Sequence, residues 1–263
     1  MLEHINRFRD DGSVANVAQF IKNSFVHGII NLFTDYRTST YYWRKIAQGL
    51  INASSEARKK LESSLAIPER NANDAFFEID SVPITLVDYQ IEYGEMPLHE
   101  LLILCRIARA KNPKTIFEIG TYLGGTTLQL AANSRAQIFT LDLPADDIKN
   151  IVDEDLDVYP ESPGSKFQDN TIYNGRIKQL IGNSLTYDFA PYYGKFDLIL
   201  VDGCHRYDHV VRDSRNALNM KSEDGLVLWH DYAEYAPGVV QALEEIKDRH
   251  LVHISNTSLV CCF

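Results

Sequence analysis

Apolar side chains recur at steps of three and four through Val14, Val17, Ile21, Phe25, Ile29 and Leu32, one face of a helix capped by Ser13. A second stripe, Trp43, Ile46, Leu50, Ala57, Leu61 and Leu65, ends ahead of Pro68. Together they predict a helical N-terminal extension or cap over residues 1–75, ahead of a main domain over 76–263. A third stripe, Leu101, Leu104, Cys105 and Ala108, stops at Asn112 and Pro113, where proline removes an N–H and restricts the residue before it. From there the chain alternates. Runs that read as buried strands occur at 115–119, 136–142, 176–181, 196–201 and 225–229, with helix-length segments between several of them. That alternation predicts an α/β domain, a parallel sheet with helices on both faces. A helix over Val239 to His250, then Leu251 to Ile254 and Leu259 to Phe263 around a polar turn, predict a terminal β-hairpin. The stretch from Leu143 to Arg176 exceeds the usual connection of about four to six residues and is expected to hold a short helix and a mobile loop.

With 263 residues, 45% of them hydrophobic, the chain can build one substantial core plus an appendage, and two independent domains are not expected. A net charge of −10 repels phosphate backbones and anionic lipid surfaces, so neither nucleic acid nor membrane is an expected partner. The four cysteines, Cys105, Cys204, Cys261 and Cys262, lack zinc-site spacing and read as reduced, mostly buried thiols. With no secretory leader pattern and no long apolar run, the expected location is cytoplasmic.

Chemistry concentrates at two predicted strand ends. In TIFEIGTYLGGTTLQLA, Thr115 to Ala131, a strand ends at Glu118 and Ile119 and a helix opens near Thr126. Gly120 and Gly124 in the turn permit positive φ and close approach of a ligand, and the free N–H groups opening the helix can receive a carboxylate. Glu118 can accept from a ligand ammonium group, so the turn suits a zwitterionic amino-acid moiety. A nicotinamide dinucleotide would call for GxGxxG, whereas this turn reads GxxxGG. In QIFTLDL, Asp142 ends the next strand, where a carboxylate can accept both ribose hydroxyls of a nucleoside.

These segments resemble the class I S-adenosylmethionine-dependent methyltransferases, whose first motif is met by Glu118, Gly120 and Gly124. LIGNSLTYDF (180–189), FDLILVDGCHRYDHVVRDSRNAL (196–218) and GLVLWHDY (225–232) are similar to later motifs of the branch that includes macrocin O-methyltransferase and the cephalosporin-biosynthesis methyltransferases. The resemblance covers about residues 98–263. It implies a Rossmann-like seven-stranded methyltransferase sheet with a reversed last strand, and a cofactor pocket of Glu118, Gly120, Tyr122, Gly124, Asp142, Asn183, Ser184 and Asp202.

The implied reaction moves a methyl group from S-adenosylmethionine to a small-molecule acceptor at a hydroxyl oxygen, which requires in-line approach and removal of a proton. His205, His230 and Asp231 are the candidate catalytic groups. In metal-dependent relatives three oxygen ligands at these strand ends hold magnesium; Asp202 and Asp231 match that pattern, whereas His230 stands where a carboxylate or amide is usual, and imidazole is a poor ligand for a hard cation. If magnesium is used, Asp202, His230 and Asp231 would hold it. His209 is expected on a helix surface, and the long acidic loop suits a lid over the acceptor. The competing readings are a non-catalytic S-adenosylmethionine-binding scaffold and an NAD-dependent oxidoreductase. The N-terminal helices leave a homo-oligomer open.

Overall fold

The structure is a computed structural model that describes residues 65–90, 94–144 and 162–263. The two N-terminal helical stripes, apart from Leu65, and most of the acidic loop lie outside the described residues.

The described residues form an eight-stranded sheet flanked by helices. The strands are β1 (Glu69–Arg70), β2 (Thr115–Ile119), β3 (Gln137–Asp142), β4 (Ile177–Ile181), β5 (Phe196–Val201), β6 (Lys221–Trp229), β7 (Leu251–Ile254) and β8 (Val260–Cys262). The helices are α1 (Ala72–Phe76), α2 (Leu98–Lys111), α3 (Gly125–Asn133), α4 (Ser165–Gln168), α5 (Tyr207–Met220) and α6 (Pro237–Glu244). Their order across the sheet is β1-β7-β8-β6-β5-β2-β3-β4. All neighbours pair parallel except β8, which runs antiparallel to both β6 and β7. β8 is the reversed strand that the terminal hairpin predicts.

The elements follow from their residues. β2, β5 and the second half of β6 are runs of apolar side chains buried on both faces, as parallel strands covered by helices require. One face meets α2 and α3 in a core of Leu101, Leu104, Ile107, Ile116, Leu130, Ile138, Leu198 and Leu228. On the alternate positions, Phe117 and Phe139 cluster with Phe189, Tyr192 and, from before the register shift in β5, Phe196, and the Trp229 indole donates to Ser214 on α5 at 2.9 Å. Helices therefore cover both faces. Leu104 has no exposure, so Leu104→Ala is expected to cost about 2–5 kcal/mol, read as a lower urea midpoint at an unchanged slope.

Three boundaries differ from expectation. The sheet gains β1, a two-residue strand paired with β7 at Glu69↔His253 and Arg70↔Ile254. It carries no hydrophobic signal because both its side chains are exposed and only its backbone is bonded. The last helix starts at Pro237, pre-set for a first turn, and stops at Glu244, because Lys247 to His250 have no apolar face to bury. β6 begins at Lys221 instead of 225, paired with Phe196 across a register shift. The four cysteines are free thiols, three buried and Cys204 half-buried.

The chain runs β2-β3-β4 outward in one direction and returns through β5 and β6 in the other. The point of reversal lies between β2 and β5, and in open parallel sheets the crevice outside the strand ends at such a point is where ligands bind.

Candidate active site

Strand parity decides which side chains share this crevice. Alternate residues of a strand face the same side, and the register pairs Glu118 with both Thr140 and Leu200, and Leu200 with Leu228. Glu118, Thr140, Asp142, Asp202 and His230 therefore stand on one side of the sheet, at the carboxyl ends of β2, β3, β5 and β6. That is the side covered by α2 and α3.

The glycine turn has the expected backbone. Gly120 and Gly124 take φ of 101° and 86°. A Cβ on Gly120 would run into the backbone carbonyl of Asp202, so the turn is packed directly against the end of β5. Tyr122 adopts φ of 51°, and its N–H and that of Thr121 donate to Asp142 Oδ2 at 2.7 and 3.0 Å. Asp142 Oδ1 accepts from the Leu143 N–H at 2.7 Å. Each carboxylate oxygen has two lone pairs, so a carboxylate held in this way keeps acceptor capacity for hydroxyl donors.

Glu118 is more deeply placed than a direct ligand contact would need, at 1% exposure. Its Oε2 accepts from the Thr127 hydroxyl and, at 2.6 Å, from the Thr140 hydroxyl. Burial pushes its carboxyl up to about 8; the two threonines pull it down, and the Asp202 and Asp142 charges push it up again. Glu118 thus reaches the crevice by its field from beneath the turn.

Asn183 and Ser184 follow β4. The Asn183 side chain caps its own turn by accepting from the Leu185 N–H at 2.9 Å. Ser184 is hydrogen-bonded to Asp213 of α5, a buried carboxyl raised to about 7 by desolvation against the pull of Ser184 and Arg212.

At the ends of β5 and β6 lies a cluster of two histidines and three carboxylates. His205 Nε2 lies 2.8 Å from Asp231 Oδ2. His230 Nδ1 lies 3.0 Å from both Asp202 Oδ1 and Asp231 Oδ2, and its Nε2 lies 2.7 Å from Glu100 Oε2. Burial alone would depress His230, but Asp202, Asp231 and Glu100 together hold it well above the usual imidazole range. Asp231, despite burial, is held below the usual carboxylate range by His205 and His230. It also accepts from the Tyr235 hydroxyl at 2.6 Å. Its backbone sits at φ of 63°, a left-handed conformation uncommon in a buried residue, fixed by the Ser258 contacts to Asp231 N–H and Tyr232 N–H.

These positions correct one expectation: His209 is buried within α5 and does not lie on its surface. Of the candidate catalytic histidines, His230 has both ring nitrogens facing carboxylates and a side chain 7% exposed, whereas the His205 side chain is 39% exposed. Glu100, Ser258 and Tyr235 escaped sequence reasoning. Glu100 left a signal: it lies four residues before Leu104 on the apolar stripe of α2, where a carboxylate needs a partner.

Among the described residues, the one group of His, Cys, Asp and Glu side chains close enough to share a metal ion is Asp202, His230 and Asp231. No described helix is long and apolar enough to cross a membrane.

Residues 117–232 match the protein family described as a methyltransferase domain. No curated protein sequence matches the chain. Among solved structures, the SAH-bound methyltransferase PaMTH1 of Podospora anserina is 17% identical and aligns over 80% of this chain and 94% of its own, with a TM-score of 0.51. An O-methyltransferase from Bacillus cereus in complex with SAH is 14% identical over 76% of this chain and 94% of its own, with a TM-score of 0.49. The first likeness establishes a methyltransferase-type Rossmann-like fold.

Proposed function

We propose that this chain is an S-adenosylmethionine-dependent methyltransferase that acts on a hydroxyl oxygen of a small molecule. The observation that carries the reading is that the segment matching the methyltransferase domain sets Glu118, Asp142 and Asp202 on three adjacent strand ends, on one side of the sheet. The Asp202 and Asp142 charges raise the cost of ionising Glu118, and such a group of carboxylates suits a cationic ligand. S-adenosylmethionine, when bound, supplies an activated methyl group on a sulfonium.

The remaining work falls to the chain. Asp142 Oδ1 would accept a ribose hydroxyl. The Gly120 to Gly124 turn would admit the amino-acid portion, and the Asn183–Ser184 turn would flank the adenine, held from below by Asp213. Asp231, kept ionised by its two histidines, orients His205, and His205 takes the proton of the acceptor hydroxyl. Tyr235 is 68% exposed while tied to Asp231 through its hydroxyl, and so offers its ring to the acceptor.

Calorimetric titration with S-adenosylhomocysteine, NAD as the control, tests the pocket. The wild type is expected to bind the first and not the second. Asp142→Ala removes one charge-assisted hydrogen bond to the ligand, of about 1.5–3 kcal/mol, and is expected to weaken binding at least about tenfold, with a melting curve on the same sample to show that it is folded. Binding of NAD alone, or an unchanged affinity in Asp142→Ala, would remove the reading.

A further inference from the structure

The residues expected to hold magnesium do not fit a hard cation. Asp202 Oδ1 and Asp231 Oδ2 both turn to His230 Nδ1, at 3.0 Å each, and the far nitrogen of the same ring is 2.7 Å from Glu100 Oε2. A carboxylate only accepts hydrogen bonds, so a ring whose two nitrogens both face carboxylates donates from both, and only the imidazolium form does that. A ring that donates from both nitrogens has no lone pair to give a metal.

The arrangement behind it is built with the same purpose. Glu100 projects from the buried face of α2, 4% exposed, and is itself held by the Ser258 N–H at 2.5 Å on Oε1 and the Ser258 hydroxyl at 3.2 Å on Oε2. Ser258 belongs to the β7–β8 turn, so that turn holds the α2 carboxylate that meets the His230 ring. The imidazolium charge is fixed from behind by Glu100 and presented in front to Asp202 and Asp231.

We propose that His230 is a built-in cation that fills the position between Asp202 and Asp231, with Glu100 as its positioning residue, so that the acceptor side of this site works without a divalent metal ion. It rests on the methyltransferase reading only for the role of the neighbouring pocket; the ring's placement is independent of it. The cluster then gathers two carboxylates about the acceptor without leaving them mutually repelling, and leaves proton removal to His205.

The test uses the full chain and Mn2+ as probe, followed by electron paramagnetic resonance of the free ion. Wild type is expected to leave Mn2+ free up to millimolar concentration. His230→Asn replaces the ring with an amide oxygen donor and is expected to create a site that takes up one Mn2+ at least tenfold more tightly, abolished again by adding Asp202→Asn. The double variant Glu100→Gln/His230→Asn removes the carboxylate that would lose its partner and provides the same test should His230→Asn not fold. A Mn2+ bound by wild type and lost in Asp202→Asn overturns the inference, as does a folded His230→Asn or double variant that leaves Mn2+ free. If neither variant folds, the wild-type titration decides. S-adenosylhomocysteine titration of the same samples separates the two claims: a chain that binds none of it yet behaves toward Mn2+ as expected loses the methyltransferase reading and keeps this one.

Discussion

Gly120→Ala is expected to destabilise the protein by about 2–5 kcal/mol, a large part of the total stability of an ordinary domain. Two terms add. A side chain at φ of 101° is strained wherever it stands, roughly 1–2 kcal/mol for a left-handed residue, and the new Cβ collides with the Asp202 carbonyl, an overpacking cost of roughly 1–3 kcal/mol. The obstacle is backbone, at the end of a central strand, so it cannot swing aside as a flexible side chain would. Gly175→Ala is the control: nothing lies within 4 Å of its Cβ and its φ is not in the left-handed region, so it is expected to be neutral or to gain about 0.4–1 kcal/mol. Urea unfolding of the pair checks the contrast. Equal midpoints would show that the glycine turn is not packed against β5. The same collision means that bulky substitutions at Gly120 report on folding first, and that Asp142 is the cleaner probe of ligand binding.

Affinity for S-adenosylhomocysteine or S-adenosylmethionine is expected to rise with pH, by up to about tenfold per unit between roughly pH 6 and 8. The cause is Glu118, whose carboxyl is pushed up to about 8 by burial, against its threonine partners, and by the Asp202 and Asp142 charges. Below that value the group is protonated and offers a cation nothing. A ligand cation entering the crevice favours the ionised form, so binding expels a proton, and linkage makes binding tighter as pH rises toward 8. The sign for stability is opposite. A carboxyl with a raised folded-state pKa holds a proton that the unfolded chain, at the ordinary value of 4.5, has already released, so its contribution is fully present below pH 4.5 and is lost as pH rises through 8. Calorimetry in buffers of different ionisation enthalpy counts the released proton. Glu118→Gln is expected to flatten the pH dependence; a slope that survives in that variant would assign the proton to another group.

Much of the fold was legible because burial on both faces leaves a strong mark. Leu198 to Val201 and Leu226 to Trp229 are continuous apolar runs, Ile116 to Ile119 is apolar except for Glu118, and Asn112 with Pro113 marks the helix end, where Asn112 takes the left-handed cap at φ of 46°. The placement of Glu118, Asp142 and Asp202 at strand ends was legible too, since each interrupts or ends such a run. β1 was not, because its two residues join the sheet by backbone alone. His209 was misplaced because a polar residue on α5 reads as surface, although the fold buries it.

Local chemistry therefore settled a good deal by itself: where strands end, which turns need glycine, and which carboxylates stand at those ends. Each depends on a residue and its near neighbours. What His230 does was decided only when α2 brought Glu100 to it from 130 residues before, with Ser258 of the β7–β8 turn holding Glu100 in place. The charge state of a buried ring is set by the acceptors within about 3 Å, and the chain's folding path, not its local order, chooses them.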